Sequence, residues 1–380
     1  MATQKNKLKI CFVALNCYNL LSDRKDITHN GGAEVQQWLI AQWLQKNGYD
    51  VSFVTMDHGQ AAVEEHQGIR VFKAYKENAG LPVVRFFHPR WSGIWAAMKH
   101  ADADIYYQRG GGVETGQVAA WCQLHGKKFV YGLANDADCT RELALLYQRR
   151  EKLMYRMGLS LVDGVITQTK NQQSLIKKNY SITSTVVRNC GGPLSRDEEK
   201  IRDELTLNKN VLWVGRISPE KRFEWIVDVA ERCSDYNFTV VGASNHGSAY
   251  ETKLLQRATA LPNVKHLGHI HHEKMIDIYR QSSFLCSTSI IEGFPNVYLE
   301  AWRLGIPVLG SFDPDGVIAS SGAGWVTESV DDYVRRLEEI SQNPTIWHQA
   351  SSAAKNYYLN NHTLEINMPI FESVVQAVVS

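Results

Sequence analysis

The stretch IEGFPNVYLEAWRL, residues Ile291 to Leu304, decides how this chain reads. Two carboxylates, Glu292 and Glu300, bracket Gly293, Phe294, Pro295, Asn296 and Val297. The short apolar run Phe284 to Ser289 just upstream reads as a buried strand, so the unit is strand, tight loop, helix. Pro295 suits the first helical turn, where its missing N–H costs nothing. The free N–H groups of that turn and the positive end of the helix dipole favour an anion. Glu292 precedes the helix, whereas Glu300 lies more than a turn inside it and points elsewhere. Carboxylates beside an anion hole suit a ligand that also carries hydroxyls, since they accept hydrogen bonds from them. A phosphate with a sugar on each side is a nucleotide sugar. The plain alternative is a capped helix, with Glu292 near its N-terminus and Glu300 in solvent.

Around this stretch, 380 residues allow two domains of ordinary size. Lys plus Arg number 41 and Asp plus Glu 40, so the chain lacks the basic footprint of general nucleic-acid binding. Seven dispersed cysteines with no C-x-x-C pair fit reduced thiols better than a disulfide framework or a zinc site. The opening MATQKNKLK carries no apolar signal core, and no apolar run is long enough to span a bilayer; the expectation is a cytoplasmic protein. No internal repeat or low-complexity tract stands out.

The first half alternates strands and helices. Leu8 to Leu15 reads as a buried strand, Asn16 to Asn30 as a polar loop, and Gly31-Gly32 opens an amphipathic helix to about Lys46. Strands follow at Val51 to Thr55 and Gly68 to Tyr75, then a helix at Pro89 to His100. Asp104 to Arg109 is a strand ending in Gly110-Gly111-Gly112, with a helix from Val113 to His125. Lys128 to Ala134 is a strand leading into Asn135-Asp136-Ala137-Asp138, and Thr140 to Leu159 reads as one long helix. Strand, helix and strand at Gly164 to Thr169, Asn171 to Asn179 and Ser184 to Asn189 complete a parallel doubly wound pattern. No G-x-G-x-x-G follows the first strand, which counts against a dehydrogenase. Gly191-Gly192-Pro193 and the charged run Arg196 to Arg202 mark a boundary.

The same grammar then restarts. Strands at Asn210 to Gly215, Asn237 to Val241 (closed by Gly242) and Val264 to Gly268 precede a helix from Glu273 to Gln281. After the central stretch come a strand at Ile306 to Gly310 and helices at Asp331 to Ile340, Thr345 to Tyr358 and Leu364 to Val379. Arg216 and Lys221 flank Pro219 just past the first of these strands, two cations well placed for a diphosphate. Three Asp-x-Asp triplets occur. Asp102/Asp104 and Asp313/Asp315 read as turns, leaving Asp136/Asp138 as the one serious candidate for a divalent cation. A metal there would duplicate the work of Arg216 and Lys221, so none is expected. His266, His269, His271 and His272 lack a Cys or carboxylate at ligand spacing before them. Arg85 to Trp95 interleaves bases with aromatics and suits either a membrane interface or packing against the sheet.

Glu292-x7-Glu300, within EGFPNVYLEA, resembles the E-x7-E motif of retaining glycosyltransferase family 4, and Gly215-Arg216-x4-Lys221 is similar to that family's G-R-x4-K pattern. The resemblance is strong over residues 210 to 310 and looser before them. It implies the α/β fold called GT-B, two doubly wound Rossmann-like domains facing across a cleft. The expected layout is an acceptor-binding domain over 1–190 and a donor-binding domain over 191–359. Residues 360–380 would form a helix packing back on the first. The implied reaction moves a sugar from a nucleoside diphosphate donor to a hydroxyl of a glycan or lipid-linked acceptor, as in polysaccharide biosynthesis, with no other cofactor.

By the same resemblance, Arg216 and Lys221 neutralise the leaving nucleotide, Glu292 holds the donor sugar and Glu300 the ribose. Gly293, Phe294, Pro295, Asn296 and Val297 offer backbone N–H groups to the donor. Gly31 and Gly32 approach the diphosphate, and His269 and Ile270 hold the base. Gly215 and Gly242 belong to the donor-binding set. The family often places a histidine near position 135; here Asn135-Asp136 stands instead, making Asn135, Asp136 or Asp138 the first domain's candidates for contact with the reacting groups. Two rival readings are a nucleotide-sugar epimerase of the same architecture and a non-catalytic nucleotide-sugar-binding protein.

Overall fold

Alternating apolar runs and glycine-ended loops build two separate parallel sheets. The computed structural model describes residues 8–22, 24, 31–82, 84–192, 195, 199, 205–242, 249–270 and 272–380. The chain divides into one unit of Met1–Asn189 with Asn367–Ser380, and another of Cys190–Ile366.

Among the described residues the N-terminal unit holds eight strands: β1 (Lys9–Val13), β2 (Asp50–Thr55), β3 (Val63–His66), β4 (Ile69–Lys73), β5 (Ile105–Arg109), β6 (Lys128–Gly132), β7 (Gly164–Thr167) and β8 (Thr185–Val186). Their order is β3-β4-β2-β1-β5-β6-β7-β8, parallel except for the β3–β4 pair. Phe12 of β1 lies in register with Phe53 of β2 and Tyr107 of β5, and the three rings pack at 5.0 and 5.3 Å. The helix Leu364–Val379 enters this unit from Asn367 onward. There Phe371 meets Tyr107 edge-on at 5.5 Å, and buried Asn367 accepts from the Arg188 N–H.

The C-terminal unit holds β9 (Asn210–Val214), β10 (Asn237–Val241), β11 (Val264–His266), β12 (Phe284–Ser287), β13 (Val308–Gly310) and β14 (Gly324–Val326), all parallel, in the order β11-β10-β9-β12-β13-β14. The chain builds outward from β9 through β10 and β11, then crosses to start again at β12 on the other side. That reversal opens a crevice at the carboxyl ends of β9 and β12, where an open α/β sheet binds ligands. The loops leaving those two strands carry Arg216–Lys221 and Ser289–Pro295. Apolar side chains cover both faces: Phe223, Ile226 and Trp347 on one, Tyr298, Leu299 and Trp302 on the other.

Several elements differ from the sequence expectation. Thr140 to Leu159 is not one helix; a loop runs to Gln148, and the helix is Arg149–Ser160. Leu143 takes a left-handed backbone at φ 50°, and Gln148 gives its N–H to the Glu151 carboxylate, which starts the helix late. Pro89 to His100 divides into a wide turn at Phe86–Trp91 and a helix at Ser92–Ala101. Pro219 opens only a 3-10 turn to Lys221, because left-handed Arg222 (φ 46°) intervenes before the helix Phe223–Arg232. Pro295 caps the helix Asn296–Trp302 from outside instead of opening its first turn. The expected loop from Asn16 contains a short helix at Tyr18–Ser22. Pro193, most of the run Arg196 to Arg202, and His271 lie outside the described residues. No described helix is long and apolar enough to cross a membrane.

Candidate functional site

In the C-terminal unit the two sequence motifs meet. The Lys221 ammonium forms an ion pair with the Glu292 carboxylate, each side chain only about one-fifth exposed. Their loops are joined through Thr288, the first residue past β12. Its hydroxyl donates to the Lys221 carbonyl at 2.5 Å and accepts from the Trp213 indole at 3.2 Å. Its carbonyl accepts from Arg222 Nε at 2.8 Å, and the Ile290 N–H donates to the Glu220 carbonyl at 2.9 Å. Arg222 also stacks on Trp225, with its guanidinium 3.7 Å from the ring centre. A fully buried threonine, its hydroxyl and carbonyl both hydrogen-bonded, fixes the backbone on both sides of the ion pair. Arg216, by contrast, is mostly exposed, with Glu220 at 3.6 Å.

Gly293, Phe294 and Pro295 are buried, and Asn296 and Val297 half-buried. Phe294 packs on the His362 ring at 4.5 Å. Helix Asn296–Trp302 is anchored by Tyr298, donating to the Phe312 carbonyl at 2.8 Å, and by Trp302, donating to the Ala323 carbonyl at 2.9 Å. Glu300, on the flank of this helix, accepts from the Tyr279 hydroxyl at 2.7 Å. Burial and the neighbouring Glu300 charge hold the Tyr279 phenol well above its usual range, so it stays a donor.

Gly215, Gly242 and Gly268 line the ends of β9, β10 and β11. The Gly242 N–H donates to the Gly268 carbonyl at 2.8 Å, and the Gly215 N–H to the Val241 carbonyl at 3.0 Å. A Cβ on Gly242 would lie 1.8 Å from the Gly215 carbonyl oxygen, and its φ is +148°, so only glycine fits. His266 Nε2 lies 2.9 Å from the Gly242 carbonyl and must carry the proton there. His269 is exposed beyond this edge and Ile270 half-buried. Among the described residues no three His, Cys, Asp or Glu side chains gather as metal ligands would.

In the N-terminal unit Gly31 and Gly32 are exposed, and the Gly31 N–H is held by the Glu34 carboxylate at 2.9 Å. Asn135 caps the turn Asp136–Cys139, its side-chain oxygen accepting from the Asp138 N–H at 3.0 Å. Asp136 accepts from the Asn171 and Gln172 side-chain amides at 2.9 and 3.1 Å. Asp138 turns inward instead, accepting from the Ala134 N–H at 3.1 Å. Burial pushes its carboxyl up to about 6, although backbone N–H groups of Ala134, Asn135 and Gly111 act to lower it. The two carboxylates thus serve different partners.

Thr288, Arg222, Trp213 and Tyr279 were not singled out by sequence reasoning. The one available signal was a polar residue, Thr288, directly following an apolar strand in a motif-bearing loop.

The family description "Glycosyltransferase Family 4" matches residues 30–191, and "Glycosyl transferases group 1" matches residues 208–343. An uncharacterized glycosyltransferase of Haemophilus influenzae is 22% identical over 335 residues, 86% of this chain and 91% of that protein. Sucrose-phosphate synthase from Thermosynechococcus elongatus superposes with a TM-score of 0.77 at 15% identity, covering 98% of this chain and 99% of the other. Anabaena HepE in complex with UDP and glucose superposes with a TM-score of 0.75 at 18% identity, covering 97% and 99%. Fold and motif-bearing loops together define a glycosyltransferase of the GT-B type. The chain belongs to glycosyltransferase family 4.

Proposed function

We propose that the chain moves a glycosyl group from a nucleoside diphosphate sugar to a hydroxyl of a glycan or lipid-linked acceptor, with retention of configuration and without a bound metal. The observation carrying this reading is the pairing of Lys221 with Glu292 in loops tied through Thr288. Breaking a sugar–phosphate bond leaves negative charge on a diphosphate oxygen, and fixed cations lower that barrier. A diphosphate competes with Glu292 for the Lys221 ammonium. The displaced carboxylate then accepts from hydroxyls of the donor sugar. Arg216 supplies a second cation, and Glu300 takes the ribose hydroxyls. Two cations make a divalent metal redundant for this charge. The C-terminal unit is the donor side and the N-terminal unit the acceptor side, with Asn135 and Asp136 its contacts nearest the reaction. Retention follows from the E-x7-E resemblance.

A uridine diphosphate sugar is the first donor to try. Anabaena HepE binds UDP-glucose. A peptide N-acetylglucosaminyltransferase subunit of Streptococcus parasanguinis, named for UDP-N-acetylglucosamine, is 23% identical over 161 residues, 41% of this chain and 31% of that protein. The test is a panel of nucleotide sugars with and without acceptor, read by mass spectrometry and by NMR of the product anomer. A glycoside of unchanged anomeric configuration supports the reading. An epimer from donor alone identifies an epimerase, and binding without turnover a silent binder. Full activity in EDTA is expected; loss restored by Mn²⁺ would overturn the metal-free mechanism.

A further inference from the structure

The basic-aromatic stretch near Arg85 takes no part in the site above. In the N-terminal unit Phe86, Phe87, Trp91 and Trp95 form a ladder of rings with centroids 4.9 to 6.3 Å apart. The ladder runs from core to surface: Trp95 packs against the apolar cluster beneath the sheet, whereas Phe87 is 64% exposed, and Leu81 before it 72%. A second segment joins it, since the Arg150 guanidinium sits 4.1 Å from the centre of the Phe86 ring. That segment exposes Tyr147 (87%) and Leu153 (68%), with Arg149 and Arg150 between them. Arg90 and Lys152 are tied to the Glu77 and Glu142 carbonyls, leaving Arg85, Arg149 and Arg150 as the outward cations. The one acid within 147–153, Glu151, is spent on the Gln148 N–H.

The geometry points to a docking surface for an anionic lipid bilayer, formed by residues 81, 82, 84–91 and 147–153. Isolated exposed apolar residues are ordinary, but several side by side among arginines are not. Rings and leucines enter the headgroup boundary while arginines meet lipid phosphates, the chemistry of an interfacial element. Packed rings hold these side chains in place, which cuts the ordering cost of docking. The charge on the patch favours a negatively charged surface over a neutral one. This inference stands apart from the transferase reading, because lipid binding needs neither donor nor acceptor.

The test is co-sedimentation of the full chain with phosphatidylglycerol/phosphatidylcholine vesicles. Binding is expected at low salt, with release near 1 M salt, where the Debye length falls to about 3 Å. The double variant Arg149→Ser/Arg150→Ser should weaken partitioning roughly fivefold or more per arginine. Leu153→Ser should weaken it as well, while Leu359→Ser in the C-terminal unit leaves it unchanged. Circular dichroism checks that each variant is folded. Wild-type protein that ignores anionic vesicles at low salt overturns the proposal. So does equal binding to pure phosphatidylcholine, or a patch variant that changes only the oligomeric state, which would make the partner a second copy of the chain.

Discussion

Lys221 and Glu292 neutralise one another, so their substitutions should not add. Lys221→Ala should lower kcat roughly 100- to 1000-fold, the usual cost of one preorganised donor to a developing anion. Glu292→Ala should also act mainly on kcat. Because each single change already breaks the pair, the double variant should be less impaired than the product of the two. Full additivity in steady-state kinetics would mean that the pair plays no part in turnover. Glu300 and Tyr279 form a second pair, and its proposed target, the ribose, is unchanged in the reaction. Tyr279→Phe should therefore raise the donor KM severalfold and spare kcat; a kcat effect alone would contradict that role. Asp138 adds a pH dependence to stability. Its folded value, about 6, lies above the ordinary carboxyl value of 3.8, so the folded protein holds the proton more tightly than the unfolded chain. The resulting stabilisation is fully present below about 3.8 and lost as pH rises through about 6, on the order of 3 kcal/mol. Denaturant unfolding of wild type and Asp138→Asn from pH 4 to 8 reads this directly, and a constant difference would refute it.

At the scale of elements, the glycines at the sheet edge make a graded test. Gly242→Ala drives a methyl into the Gly215 carbonyl and should cost more than about 3 kcal/mol. Gly268, at φ +65° with open space around its Cα, should cost only about 1–2 kcal/mol as alanine. Thermal unfolding separates them; similar losses would show that backbone conformation rather than the clash dominates. Which elements were legible follows from the same physics. Strand, loop and helix around Phe284 to Trp302 were readable because an apolar run, a glycine, a proline and a helical face coincide in order. β3 was missed: Val-Glu-Glu-His is largely polar and pairs at an edge, where a strand need bury little. The helix misplaced over Thr140 to Leu159 kept a helical apolar spacing, and only tertiary contacts set Leu143 in a left-handed conformation. Meeting of Lys221 with Glu292 was unreadable for a like reason, since it depends on Thr288 bonding across to the Lys221 backbone from a neighbouring strand.

For the whole molecule, the chain passes from one unit to the next at Asn189–Cys190, and its path is not a simple split. The first unit is finished by residues from the far end of the sequence, with Phe371 against Tyr107 and Gly164 too close to Val378 for a side chain of its own. Phe371→Ala should cost the N-terminal unit about 3–5 kcal/mol. Hydrogen exchange should localise that loss to β5 and its neighbours, and uniform loosening of both units would argue against it. The returning helix also sets a timetable for biosynthesis. A ribosome making about 5–20 residues per second must add roughly 180 more after Asn189 before Asn367 appears, a delay on the order of 10–35 s. Throughout that interval the nascent first half displays the apolar strip around Tyr107 that Phe371 will later close. Newly made chains therefore offer a holding chaperone a defined and transient target, which vanishes once the helix Leu364–Val379 has been made and packs.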